Sequence, residues 1–135
     1  MFLNTGSPHH IEFVQDIDQI NVRERGAAIR YDAPYFNEGT NVNFAEAITW
    51  DRLKVRTYER GVENETLACG TGVTAAAIAA FETGVLSNDN IRIETPGGIL
   101  SVSFKKNTSG GYEDIWLTGP AEFVFEGNMD LRDWE

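Results

Sequence analysis

Two hydrophobic periods divide this chain. Asn41 to Ile48 (NVNFAEAI) and Leu53 to Tyr58 (LKVRTY) alternate as half-buried strands do, with Trp50-Asp51-Arg52 turning between them. Ile11 to Val14 predicts a short strand behind the pair His9-His10, and Phe2-Leu3 reads as part of another. Later strands are predicted at Ile91 to Glu94, Ile99 to Phe104, Tyr112 to Leu117 and Glu122 to Phe125. Pro96-Gly97-Gly98 and Ser109-Gly110-Gly111 are turn signals among them. Asn21 to Arg30 predicts a short helix, with Ile20, Ala27 and Ala28 as a modest apolar face.

From Gly72 the pattern is different in kind. Val73, Ala75 to Phe81 and Val85 cover the whole circumference of a helix, and Gly84 is placed to end it. A helix that is apolar all round must be enclosed, and its alanines let neighbouring elements come close. Strands before and after one buried helix predict an α+β domain, a sheet wrapped around that helix.

Composition narrows the picture. A chain of 135 residues suits a single domain with a real core, spanning residues 1–135. Eleven Lys and Arg against 21 Asp and Glu give a net charge of −10, which argues against nucleic acid or an anionic membrane as partner. The longest fully apolar run, Ala75 to Phe81, falls far short of the roughly 20 residues of a membrane span. MFLNTGSPHH lacks the layout of a signal peptide and begins abruptly inside a strand, so a cytoplasmic location is expected. One cysteine excludes an intrachain disulfide.

That cysteine, Cys69, precedes Gly70-Thr71-Gly72 at the start of the enclosed helix. A lone cysteine is most often a small buried hydrophobe. At a helix start, however, unpaired N–H groups and the helix dipole favour negative charge, a thiolate included. The same N–H groups suit a substrate carboxylate, which the glycines let come close. Glu59-Arg60-Gly61 ends the strand leading to this turn. It reads either as a solvated charge pair or as a proton-transfer partner (Glu59) and a carboxylate clamp (Arg60). His9 is either a structural imidazole or a catalytic partner. Neighbouring histidines on a strand face opposite ways, and no other ligands cluster, so no metal is expected. Gly-Thr-Gly lacks the Walker lysine and the dinucleotide spacing, so no phosphate loop is expected either.

ERG…ETLACGTG followed by an alanine-rich helix resembles diaminopimelate epimerase. Asn41 in GTNVNF, the SPH at residues 7–9 and GPAEFVFEG at 119–127 follow the family's order across nearly the whole chain. The resemblance is to the C-terminal half of a two-domain enzyme, each domain a mixed or antiparallel β-barrel-like sheet around a central helix. It implies an active site between the domains and a second cysteine in an N-terminal half that has no counterpart in these 135 residues. It implies interconversion of LL- and meso-diaminopimelate, in lysine and peptidoglycan precursor biosynthesis, without a cofactor. Two cysteines on opposite faces of the α-carbon would move the proton.

By this resemblance Cys69 is one of those cysteines, assisted by Glu59, and His9 corresponds to the histidine serving the other. Asn41 and Arg60 match groups that recognise the distal amino-acid end, and Gly70 and Thr71 match the amides that hold the reacting carboxylate. Ser7 stands where the family more often has a substrate-touching Asn. The loop from Val62 to Glu65 is one residue longer than the family pattern. The expected partners are the small-molecule substrate, the N-terminal half and a second copy of the chain, and this chain alone is expected to be inactive. Two alternatives stay open: another cofactor-independent isomerase of the superfamily, proline racemase-like or phenazine-biosynthesis-like, or a non-catalytic domain that keeps the fold.

Overall fold

The computed structural model describes residues 1–130. Its frame is one eight-stranded mixed sheet. In chain order the strands are β1 (Phe2–Asn4), β2 (Pro8–Phe13), β3 (Asn41–Thr49), β4 (Arg52–Glu59), β5 (Asn64–Thr66), β6 (Asn90–Thr95), β7 (Gly98–Lys106) and β8 (Tyr112–Thr118). They lie side by side as β1-β2-β3-β4-β6-β7-β8, with β5 hydrogen-bonded to β4 off this path. The pairs β2–β3 and β4–β6 are parallel and the rest antiparallel. A parallel pair cannot be closed by a tight turn. Each therefore encloses a helix in its connection: α1 (Val22–Arg30) between β2 and β3, and α2 (Gly70–Glu82) between β4 and β6.

The sheet curls around α2, as the all-round apolar pattern predicts. Every residue from Gly72 to Ala80 is buried. Ile11, Ala45, Leu53, Val55, Ile91, Ile93, Val102 and Phe104 come down on this helix from β2, β3, β4, β6 and β7. The opposite face of β3 and β4 carries Val42, Phe44 and Tyr58 against Val22 of α1 and Ile17 of a short 3-10 helix, Ile17–Gln19. This two-sided cover explains why Asn41 to Ala45 are all buried, although the strand's pattern alternates. The curl does not close. Between the end strands β1 and β8 a slot of about 610 Å³ opens over α2, lined by Leu3, Thr5, Thr71, Ile78, Ile115 and Leu117.

Helix boundaries follow their capping residues. Asn21 accepts a hydrogen bond from the Glu24 N–H at 3.2 Å, and its side-chain amide donates to the Glu24 carboxylate at 3.1 Å. This is a reciprocal cap at the amino end of α1. Gly84 takes φ 72° just past α2, the left-handed turn that glycine supplies at least cost.

Three expectations need correction. Val85 is not part of the apolar circumference: α2 ends at Glu82 and Val85 is 39% exposed beyond the glycine turn. Ala28 faces solvent, whereas Ile20 and Ala27 pack as expected, joined by Val22 and Gly26. Glu122 to Phe125 form no strand, and Phe123, Val124 and Phe125 are more than 80% exposed. An extended segment becomes a strand only when a neighbour accepts its hydrogen bonds. Here the chain leaves β8 through Gly119-Pro120 without turning back onto it.

Gly26 fits because it lacks a side chain. A Cβ there would lie 2.4 Å from the Tyr58 Cβ. Glycine to alanine inside a helix ordinarily stabilises by about 1 kcal/mol. Gly26→Ala is expected to reverse that sign and destabilise the fold by about 1–3 kcal/mol through overpacking, measured as a lowered urea midpoint.

Candidate active site

Along the inward face of the sheet, apolar side chains give way to polar ones where α2 begins. Residues 9, 41, 43 and 57 stand in register across β2, β3 and β4: His9 opposite Asn41, and Asn43 opposite Thr57. All four are at most 5% exposed, so each needs a hydrogen-bond partner. Each has one. Thr57 Oγ1 donates to Asn43 Oδ1 at 3.0 Å. Asn43 Nδ2 lies 3.1 Å from His9 Nδ1, and His9 Nε2 lies 2.9 Å from Thr71 Oγ1. Thr71 Oγ1 is in turn 3.6 Å from Cys69 Sγ.

Cys69 occupies the N-cap of α2 in extended conformation, and its side chain makes no cap hydrogen bond. It is half-buried and in no disulfide. The first bond of the helix runs from the Val73 N–H to the Cys69 carbonyl at 2.9 Å. The N–H groups of Gly70, Thr71 and Gly72 have no acceptor among the described residues, as the first turn of a helix requires. A thiol and three open N–H groups thus share one turn. Gly72 is indispensable to it: a Cβ there would sit 2.3 Å from Asn43 Oδ1 and 3.3 Å from Cys69 Sγ. The approach to the turn is braced from below, where the Gly97 N–H donates to the Leu67 carbonyl at 2.8 Å.

A second polar group adjoins the first. Asn41 Nδ2 donates to Ser7 Oγ at 2.8 Å and to the Pro8 carbonyl at 3.1 Å, while its Oδ1 accepts the Arg60 N–H at 2.8 Å. Both amide hydrogens of Asn41 are therefore committed, and it joins Ser7 to Arg60 across the strand ends. Ser7 Oγ also lies 3.3 Å from His9 Nε2, which connects the two groups. The Arg60 side chain is exposed, with one nitrogen donating to the Glu38 carbonyl at 2.8 Å and its other donors open among the described residues. Glu59 ends β4, on the face it shares with Thr57 by strand alternation, and no hydrogen bond or ion pair holds its carboxylate among the described residues.

The fold thus brings Ser7, His9, Asn41, Arg60, Cys69, Gly70 and Thr71 to one region, with Glu59 at its border. Asn43 and Thr57 belong to it as well, though the sequence reading names neither. The signal was present: Asn41 and Asn43 are two apart on a strand and so share a face. Among the described residues no group of three or more His, Cys, Asp and Glu is arranged to hold a metal ion. No helix there is long and apolar enough to cross a membrane.

The arrangement of a curled sheet around a central helix is shared with solved structures. The crystal structure of a Bacillus anthracis phenazine biosynthesis protein of the PhzF family superposes with a TM-score of 0.57 over 81% of this chain and 34% of that one, at 24% identity. An Enterococcus faecalis protein of that family gives the same TM-score over 74% of this chain and 35% of that one, at 15% identity. These place the chain in a fold class. The family follows from sequence. Residues 1–124 match the model for diaminopimelate epimerase, and the chain belongs to that family. It is similar to the diaminopimelate epimerase of Flavobacterium psychrophilum, 50% identical over 126 residues, covering 93% of this chain and 49% of that protein. Against those of Aquifex aeolicus and Chlorobaculum tepidum it is 42% and 44% identical, covering 96% of this chain and 45% and 49% of theirs. The chain spans about half the length of the curated relatives it matches.

Burial and, secondarily, the Arg60 charge push the His9 pKa down from 6.5 to about 4. Between these values the unfolded chain binds the additional proton and the folded chain does not, so stability rises with pH and is lost as pH falls from 6.5 toward 4. The loss attributable to His9 is expected to reach up to about 3 kcal/mol. Urea midpoints of the wild type and His9→Gln at neutral and acid pH check it: the variant should lack this part of the slope.

Proposed function

We propose that this chain is the C-terminal half of a diaminopimelate epimerase and supplies one of the two acid/base groups of a cofactor-independent epimerisation. The observation that carries this reading is the α2 amino terminus, where Cys69 shares a turn with the unpaired N–H groups of Gly70, Thr71 and Gly72. An α-proton is removed more easily when the adjacent carboxylate is held by hydrogen-bond donors, because the charge developing on its oxygens is stabilised. Cys69 as thiolate takes the proton from one face of the α-carbon, and a thiol from the N-terminal half returns one to the other. Glu59 receives or supplies the proton of Cys69 as the direction of reaction demands.

The distal end of the substrate is held by the open donors of Arg60 and by Ser7. Arg60 suits a second carboxylate through a paired contact. Asn41 contributes mainly by fixing these two relative to each other, since its own hydrogens are committed. Identity to proteins named diaminopimelate epimerase favours this substrate over the monocarboxylate of a proline racemase-like enzyme, which has no second acid for Arg60.

Proton NMR of LL-diaminopimelate in heavy water, with the chain at high concentration under reducing conditions, tests the reading. This chain alone is expected to give no meso isomer. A protein joining it to an N-terminal half from a relative is expected to exchange the α-proton and form the meso isomer. Cys69→Ala in that protein should lower the rate by at least about a hundredfold. Full activity in the Cys69→Ala protein would overturn the assignment, and meso product from this chain alone would overturn the need for a second half.

A further inference from the structure

The hydrogen bonds of the inward polar row have only one consistent direction. Asn43 places one amide atom 3.2 Å from the His10 carbonyl and 3.1 Å from His9 Nδ1. A carbonyl only accepts, so that amide atom is the NH₂ nitrogen, and the other, Oδ1, accepts from Thr57. His9 Nδ1 then faces a donor and must be the bare nitrogen of the ring. The proton of neutral His9 is left on Nε2, which donates to Thr71 Oγ1 at 2.9 Å, the nearer of its two hydroxyl neighbours. With Thr71 Oγ1 accepting from His9, its own hydrogen is free to point at Cys69 Sγ, 3.6 Å away. Ser7, facing a protonated Nε2 and accepting from Asn41, keeps its hydrogen free for the open side of the site.

We propose that Asn43 is a positioning residue: it fixes His9 in the Nε2–H tautomer and thereby turns the Thr71 hydroxyl into a donor to Cys69 Sγ. Replacing the amide by a group that only accepts would demand a proton on Nδ1, free the Nε2 lone pair, and draw the Thr71 hydrogen away from the sulfur. A thiol needs no such donor, whereas a thiolate is stabilised by one. The relevance to catalysis rests on the reading of Cys69 as an acid/base group, but the hydrogen-bond direction does not.

Two measurements test this without substrate. In the first, the full chain is labelled with ¹⁵N-histidine and long-range ¹H–¹⁵N spectra are recorded near neutral pH. His9 and His10 are the only histidines, so His10→Gln assigns the signals. His9 is expected to show a bare Nδ1 and a protonated Nε2, whereas a protonated Nδ1 in the wild type overturns the proposal. In the second, Cys69 is alkylated with iodoacetamide. Asn43→Ala and Thr71→Val are each expected to slow the reaction by about threefold to tenfold, and the double variant no further than either alone. Slowing in Thr71→Val with a wild-type rate in folded Asn43→Ala would overturn the role of Asn43. Because neither readout involves diaminopimelate, failure of the epimerase reading leaves both intact.

Discussion

The separation between α2 and the sheet is the dimension on which this structure depends. From Gly72 to Ala80 the helix offers glycine, alanine, one valine, one threonine and one isoleucine, all buried. Side chains this short let strands approach from several directions, so the sheet can curl around the helix instead of lying flat against it. Gly72 marks the limit of that closeness, with Asn43 where its side chain would be. Closeness at the first turn also brings Cys69 and Thr71 within reach of β2 and β3. A bulkier helix would lift its amino terminus off the strands, and the sulfur would lose the polar row that faces it.

Charge is distributed around that terminus with some economy. The buried row is neutral, because His9 is kept unprotonated by burial and by the cation of Arg60. The charges stand at the rim, with Arg60 exposed and Glu59 half-buried. This division leaves a neutral interior beside a charged rim. It also separates two kinds of asparagine on one strand face. Asn41 ties the rim together, and Asn43 sets the direction of the interior.

The sequence was most informative where a residue type has one physical use. An unbroken apolar stretch of alanines had to be enclosed, and Gly84 had to end its helix. Alternation located β4 because Leu53 and Val55 meet α2, and β3 because Val42 and Phe44 meet α1 on the other face. It was less informative where tertiary contact decides. β5, only Asn64–Thr66, exists because β4 offers it an edge, and nothing in Asn-Glu-Thr favours a strand. Phe123-Val124-Phe125 has strand composition and no strand to pair with among the described residues. Within the candidate site, Cys69 and its glycines stood out in the sequence because they precede the enclosed helix. Asn43 and Thr57 were harder to see, because their importance lies in direction of hydrogen bonding, which only coordinates supply.

The parallel pairing of β2 with β3 has a kinetic meaning. His9 and Asn41 are brought together across a loop of some thirty residues that contains α1, and Thr71 must then arrive from a third segment. Thr57 and Asn43 can pair early, across the β3–β4 hairpin, but His9 and Thr71 join them only by long-range closure, the slow kind of folding event. The same wiring protects it afterwards. Local fraying of a loop does not undo contacts held by three separate strands and a helix, so the interior of the site opens only when the sheet itself does. Its geometry is as durable as the whole fold, while Arg60 at the rim stands exposed to solvent.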